Sequence, residues 1–152
     1  MMALLQRVSQ ARVEIDTRVC GSIGAGLLVL LCAERGDTAL ECERMLAKVL
    51  KLRIFSDANG KMNHHIQDMD GQGTAGGLLI VSQFTLAADT ARGNRPGFGG
   101  AADPVLGQQL YQLFVELARQ QHTLVQTGEF GADMQVHLVN QGPVTIPLRI
   151  TA

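Results

Sequence analysis

Leu78-Leu79-Ile80-Val81-Ser82-Gln83-Phe84-Thr85-Leu86 joins four aliphatic residues to three polar side chains within the next four positions. An apolar run this short, bounded upstream by glycines, predicts a buried strand rather than a helix. The strand's end is where its backbone and hydroxyls become free for a ligand, so Ser82, Gln83 and Thr85 are candidates for one wall of a site. A strand that turns amphipathic at a sheet edge accounts equally for the same residues, with Thr85 adding ordinary β propensity.

Upstream, residues 71–77 hold four glycines and predict a loop. Downstream, residues 87–102 form a long glycine-rich connection containing Arg92-Gly93-Asn94-Arg95-Pro96-Gly97-Phe98. Loops of that length within a compact domain are commonly functional. Two arginines and an aromatic ring can hold a phosphate and stack a base; a solvated loop fits them as well. Asp103-Pro104 then opens a helix, with Asp as cap and Pro in the first turn. Leu106, Leu110, Leu113, Phe114 and Leu117 fall on its inner face.

Towards the N-terminus, residues 3–8 and 11–15 read as two short strands around a Ser9-Gln10 turn. Gly21-Ser22-Ile23-Gly24-Ala25-Gly26 lacks the Lys-Ser/Thr ending of a phosphate loop and reads as a flexible turn feeding a strand over 27–32. Thr38-Ala39-Leu40-Glu41 has the form of a capping box. The helix it starts runs to about residue 51, with an apolar stripe through Leu40, Leu46, Val49 and Leu50, and with Glu41, Glu43, Arg44, Lys48 and Lys51 facing water. Residues 52–55 return as a strand, and Asp57-Ala58-Asn59-Gly60 signals a turn. Near the C-terminus 124–126 reads as a short strand. Met134, Val136 and Leu138 alternate with Gln135 and His137, a half-buried strand that leaves His137 at the surface. Strands that recur without regular βαβ alternation exclude a doubly wound fold. The expectation is one domain over 1–152: an α/β chain with a largely antiparallel or mixed, barrel-like sheet system and two main helices.

Composition narrows the function. With 46% hydrophobic and 18% charged residues the chain folds, and a formal charge of −1 provides no global field to recruit nucleic acid. RNA contact would need a local patch, such as Lys48, Lys51 and Arg53, or Arg92 and Arg95. The three cysteines, Cys20, Cys32 and Cys42, cannot all pair and show no C-x-x-C spacing. Reduced structural thiols in a cytoplasm follow. No apolar run approaches the roughly 20 residues of a membrane span, and no signal peptide is evident. His64-His65 lacks metal-ligand spacing, and His122 and His137 lie far away, so neither a metal nor another cofactor is expected.

The last informative stretch is Asn140-Gln141-Gly142-Pro143-Val144-Thr145-Ile146-Pro147. Gly-Pro is a turn dipeptide at which a cis peptide costs little. Such a corner between two strands can aim two carbonyls in one direction and receive an ammonium group; an exposed hairpin turn is the plainer alternative.

Together, Ser82-Gln83-Phe84-Thr85-Leu86 and Asn140-x-Gly142-Pro143-Val144-Thr145 closely resemble the D-aminoacyl-tRNA deacylase family, also called D-tyrosyl-tRNA deacylase. The resemblance extends over nearly the whole chain through Gln6-Arg7-Val8, Gly26-Leu27-Leu28-Val29-Leu30, Leu52-Arg53-Ile54-Phe55, Asn59-Gly60-Lys61-Met62, Asn94-Arg95-Pro96 and Gly128-x-Phe130-Gly131-Ala132. It implies a cytoplasmic homodimer, without cofactor or metal, that hydrolyses the ester between a D-amino acid, or glycine, and the acceptor end of tRNA. In the family the Gly-Pro bond is cis and enters the partner subunit's site. Carried over, the carbonyls of Gly142 and Pro143 receive the α-amino group, and an L side chain collides with the motif. Asn140, Ser82 and Arg95 become substrate-binding residues. The Phe84 N–H becomes the oxyanion donor, and Gln83 contacts the terminal adenosine or the ester. Thr85 has no His or Lys beside it in sequence to activate it, which favours help from the ribose 2′-OH with Thr85 as a site wall. The chain departs from many members at Ala87-Ala88, where they carry an aromatic or longer residue, leaving the preferred D-amino acid open. A hydrolase of free small esters, or a non-catalytic RNA-binding domain, leaves the paired motifs without a role.

Overall fold

A computed structural model describes residues 1–151. Its organising element is β1 (Met2–Ile15). One edge of β1 pairs antiparallel with β2 (Arg18–Ile23) through its second half and with β3 (Gly26–Cys32) through its first. The other edge is lined along its whole length by the last strand, β8 (Gln135–Arg149), from Met2↔Arg149 to Glu14↔Gln135. The expected turn at Ser9-Gln10 is therefore absent. The chain passes straight through as one strand whose register shifts at Gln6/Val8 and Val8/Gln10. The extra residues at this irregularity change which face the side chains take, so Val8 and Ala11, three positions apart, enter the same apolar cluster.

Between β3 and β8 come α1 (Ala39–Lys51), a two-stranded ribbon of β4 (Phe55–Ser56) and β5 (Met62–His64), and β6 (Gly77–Ser82). A 3-10 helix (Phe84–Ala87), α2 (Pro104–Gln121) and β7 (Val125–Thr127) follow. β6 is parallel to β3 from Gly26↔Gly77 to Leu31↔Ser82, and β7 is parallel to β6. The sheet order β2-β1-β3-β6-β7 is mixed, and β7 returns towards β2: a Cβ on Gly21 would stand 2.3 Å from the Thr127 carbonyl oxygen. The result is a nearly closed, barrel-like sheet with two helices, in agreement with the sequence reading.

Parallel central strands carry apolar residues on both faces, and β3 and β6 divide theirs between two clusters. Leu27, Val29, Leu31, Leu78 and Ile80 pack beneath the helices with Met45, Leu46, Val49 and the fully buried Phe114. Leu28, Leu79 and Val81 face the opposite way, onto Val13 and Ile23, with Met134, Val136 and Leu138 of the C-terminal arm covering them. Gly26 and Gly77 let β3 and β6 approach, since a Cβ on Gly26 would lie 2.0 Å from the Gly77 carbonyl oxygen.

Several local expectations change. β2 occupies residues read as part of a flexible turn. Residues 52–54 form no ladder, because the ribbon starts only at Phe55. Leu40 is exposed, whereas Glu41, expected in water, is buried and receives the Thr38 N–H and hydroxyl at 2.7 and 2.6 Å. The capping box turns this carboxylate inward, and those bonds hold it below the ordinary carboxylate range. On α2 the deepest residues are Leu110, Tyr111, Phe114, Val115 and Ala118, with Leu106, Leu113 and Leu117 at the margin.

Candidate active site

β6 ends at Ser82, and the backbone then tightens into the 3-10 helix, so Phe84 and Thr85 are not strand residues. The Gln83 N–H bonds to the Leu31 carbonyl at 2.7 Å and anchors this change of direction to the end of β3. Gln83 Nε2 donates to Thr85 Oγ1, which fixes both side chains on the exposed side. Among the described residues, no protein acceptor takes the N–H of Phe84 or of Thr85. They are the unpaired donors expected at the start of a helical turn. The Cys32 thiol lies 3.6 Å from the Phe84 carbonyl oxygen, and burial followed by the charge of Glu34 pushes its pKa up, away from thiolate chemistry.

A cavity of about 610 Å³ opens beside this corner. Ser82, Gln83 and Phe84 form one wall, and Phe98, Tyr111, Phe130 and Met134 supply apolar surface. Phe84 and Phe98 meet edge to face with centroids 5.0 Å apart, and Tyr111 stacks at a tilt against Phe130, 5.8 Å away. The Tyr111 hydroxyl donates to the Ile80 carbonyl at 2.9 Å, holding β6 two residues before Ser82. Burial raises the Tyr111 pKa to about 12, so it remains a neutral donor. The lining includes no His, Lys or Arg. Its one carboxylate, Asp103, caps α2 by accepting from the N–H groups of Val105 and Leu106 at 3.0 and 3.1 Å. The cavity thus offers oriented backbone donors and an apolar bed, without an evident general base.

Gly142 and Pro143 do not form a hairpin turn. They lie within β8, where β1 shifts register and residues 141–144 find no Cα partner. Their peptide bond is cis, and Gly142 has φ 132°. Both residues are exposed. Arg7 braces the segment through Nε to the Gln141 carbonyl (3.1 Å) and Nη1 to the Ile54 carbonyl (2.8 Å). Asn140 closes the base: its Oδ1 accepts the Val144 N–H at 3.0 Å and its Nδ2 donates to Thr145 Oγ1 at 2.8 Å.

Within one chain the two motifs stand apart. Ser82 aligns with Leu31 and through it with Ala3, whereas residues 141–144 lie opposite the stretch from Gln6 to Val8. That is three strand spacings of about 4.8 Å across the sheet and three to five residues of about 3.3 Å along it. Ser82, Gln83 and Phe84 line the cavity, with Thr85 following them on the exposed turn outside its lining, while Asn140, Gly142 and Pro143 are gathered on β8. Arg95 sits on the exposed loop beyond Phe98, outside the lining. Sequence reasoning missed Tyr111, and named Phe130 only within the Gly128–Ala132 segment of the resemblance, with no role in the site. His137, expected at the surface, is instead half-buried, with its Nε2 shielded from solvent and 3.3 Å from Glu14 Oε2. Among the described residues no cluster of three or more His, Cys, Asp or Glu could hold a metal ion.

Comparison with known proteins gives this geometry a family. The family model described as D-Tyr-tRNA(Tyr) deacylase matches residues 4–149. The D-aminoacyl-tRNA deacylase of Albidiferax ferrireducens is 69% identical over 150 residues, covering 99% of this chain and 94% of its own length. That of Delftia acidovorans is 67% identical, covering 99% and 96%. Among solved structures, the c-Myc DNA Unwinding Element Binding Protein superposes with a TM-score of 0.91 at 39% identity over 100% of both chains. A probable eukaryotic D-amino acid tRNA deacylase shares the fold, with a TM-score of 0.76 at 18% identity over 98% of each chain. By its sequence and its fold, the chain belongs to the D-Tyr-tRNA(Tyr) deacylase family.

Proposed function

We propose that the protein hydrolyses the ester linking a D-amino acid to the 3′-terminal adenosine of tRNA, acting as a homodimer in which residues 140–145 of one copy complete the cavity of the other. The carrying observation is the separation of the two motifs: Phe84, Thr85, Gly142 and Pro143 are exposed, and one chain leaves the two motifs on different parts of its sheet. A second copy can present Gly142 and Pro143 to the Ser82–Gln83–Phe84–Thr85 corner without remodelling either.

In that site the ester carbonyl lies against the free Phe84 N–H, which stabilises the oxyanion of the tetrahedral intermediate. Gln83, tied to Thr85, orients the terminal adenosine, and Ser82 adds a polar contact on the same wall. No His or Lys lines the cavity to activate Thr85. Water therefore attacks with the help of the substrate's ribose 2′-OH, and Thr85 serves as a wall. The carbonyls of Gly142 and Pro143 accept the α-ammonium group. With that group fixed, a D side chain projects away from the motif and an L side chain projects into it, so selection works by collision. Glycine has no side chain to collide, and glycyl-tRNA is a second substrate on this reading. Charged tRNA places the enzyme in the cytoplasm; among the described residues no helix is long and apolar enough to cross a membrane.

The test is complementation between differently tagged copies. Gln83→Arg blocks one cavity, Pro143→Ala damages the other motif, and each homodimer is expected to be impaired. A purified hybrid dimer has one site with both intact parts and is expected to recover D-tyrosyl-tRNA hydrolysis. Hybrid activity no greater than the mean of the two parents would place all the chemistry within one chain and defeat the shared-site reading.

A further inference from the structure

We infer that residues 89–97 form a phosphate clamp for the acceptor strand, with Arg92 and Arg95 as its paired cations; this rests on the reading of the cavity as the seat of the terminal adenosine ester. The loop is built rather than loose. Asp89 and Gly97 exchange both backbone hydrogen bonds, at 2.7 and 2.9 Å, and so clasp its two legs. Asp89 Oδ1 accepts the Ala91 N–H at 2.9 Å, and Gly93 takes a positive φ of 73° that turns the tip. Immediately outside the clasp, one leg leads back to Phe84 and the other to Phe98, the edge-to-face pair at the cavity. The following residues are bonded to the end of β3, Ala102 N–H to the Ala33 carbonyl at 3.0 Å and Arg35 N–H to the Gly100 carbonyl at 2.9 Å. The loop is thus fixed to the rim.

Its charge is unbalanced. Between positions 89 and 97 the only acid is Asp89, whose carboxylate is engaged with the loop's own backbone. Arg92 and Arg95 are exposed. Among the described residues neither lies within 4.0 Å of a carboxylate, unlike Arg12, Arg18 and Arg149. The cavity itself carries no cation, so a nucleoside seated there leaves its 5′ phosphates to be met outside, and this rim loop is where guanidinium groups are available. Arginine suits the task because its planar fork takes two phosphate oxygens at once. The near-neutral chain then binds the end of a polyanion locally, without a basic face.

The experiment compares the intact protein with an Arg92→Gln/Arg95→Gln double variant in three assays. For uncharged tRNA, binding is expected to weaken by about tenfold at moderate salt, and the log–log salt dependence to become shallower by about 1.4, or about 0.7 per phosphate contact. For D-tyrosyl-tRNA, KM is expected to rise with kcat little changed. For D-tyrosyl-adenosine, which carries no phosphate, the rise in KM is expected to be much smaller than for D-tyrosyl-tRNA. Equal losses on both esters would show that the loop merely orders the site, and unchanged tRNA affinity and salt slope would remove the clamp; either overturns the inference. Failure of the unaltered protein to hydrolyse either ester would instead count against the proposed function, and the binding assay would still decide whether the clamp exists.

Discussion

Tyr111→Phe removes one oxygen from the floor of the cavity, and its consequences can be worked out at two pH values. At pH 7 the variant loses the 2.9 Å bond to the Ile80 carbonyl. That carbonyl also accepts the Gly128 N–H at 3.0 Å, so it is not left unsatisfied. The cost is therefore that of one neutral hydrogen bond, about 1 kcal/mol, rather than that of an orphaned buried acceptor. For a chain of this size it corresponds to a fall in Tm of about 2–4 °C. Ring packing against Phe130 is retained. At alkaline pH the sign reverses. Burial raises the hydroxyl's pKa to about 12 in the folded state, against about 10 when unfolded. Between these values the folded chain binds more protons than the unfolded one, so the tyrosine's contribution falls as pH rises, by about 1.4 kcal/mol per unit. The phenylalanine variant lacks this loss, and its stability is expected to overtake that of the unaltered protein near pH 11. The Cys42 thiol, raised by burial to about 11, titrates in both proteins and cancels in the difference. Urea unfolding of the pair from pH 7 to 12, with m-values compared, reads both effects. Curves that stay parallel across that range, or a loss above about 3 kcal/mol at pH 7, would refute the reasoning.

Three other changes have defined outcomes. Gly26→Ala drives a Cβ to 2.0 Å from the Gly77 carbonyl oxygen. Backbone cannot yield as a side chain tip would, so a loss of about 3 kcal/mol or more is expected in urea unfolding; Gly24→Ala, with nothing within 4 Å, is the control. Thr38→Ala removes the α1 cap to the Leu40 N–H and the hydroxyl that binds Glu41, for a loss of about 1–2 kcal/mol at pH 7. Because Glu41's folded pKa is depressed, its stabilisation is present above its unfolded value and lost as pH falls through the folded one; the variant's acid unfolding curve should be correspondingly flatter. Thr85→Ala is expected to keep most turnover of D-tyrosyl-tRNA, and near-complete loss in a folded protein would make Thr85 chemical.

Both helices, the strand before Ser82, and the Asp57–Gly60 turn were legible because local chemistry marks them: a capping box, an Asp-Pro start, an apolar run, an Asx turn. The single β1 was not. Ser9 and Gln10 have turn chemistry, but β8 pairs beyond them on both sides and carries the backbone through as an irregularity. The same long-range pairing turns Gly142-Pro143 from a hairpin corner into a break within β8. Tyr111 and Phe130 could not be separated from core aromatics, since only the tertiary fold sets them around a cavity. The polar corner Ser82–Thr85 could be read, because three polar residues at the end of a buried run must go somewhere. That the Phe84 N–H is a donor is implied by the family resemblance rather than by local chemistry, and the second free donor, at Thr85, depends on the turn into the 3-10 helix after Gln83.

The most direct measurement is deacylation of matched D- and L-tyrosyl-tRNA by the purified protein, with Pro143→Ala alongside. The account expects rapid loss of the D-ester, with the L-ester spared, and expects the variant to lose activity or discrimination. Equal hydrolysis of both esters by the unaltered protein, or hydrolysis of neither, would contradict it.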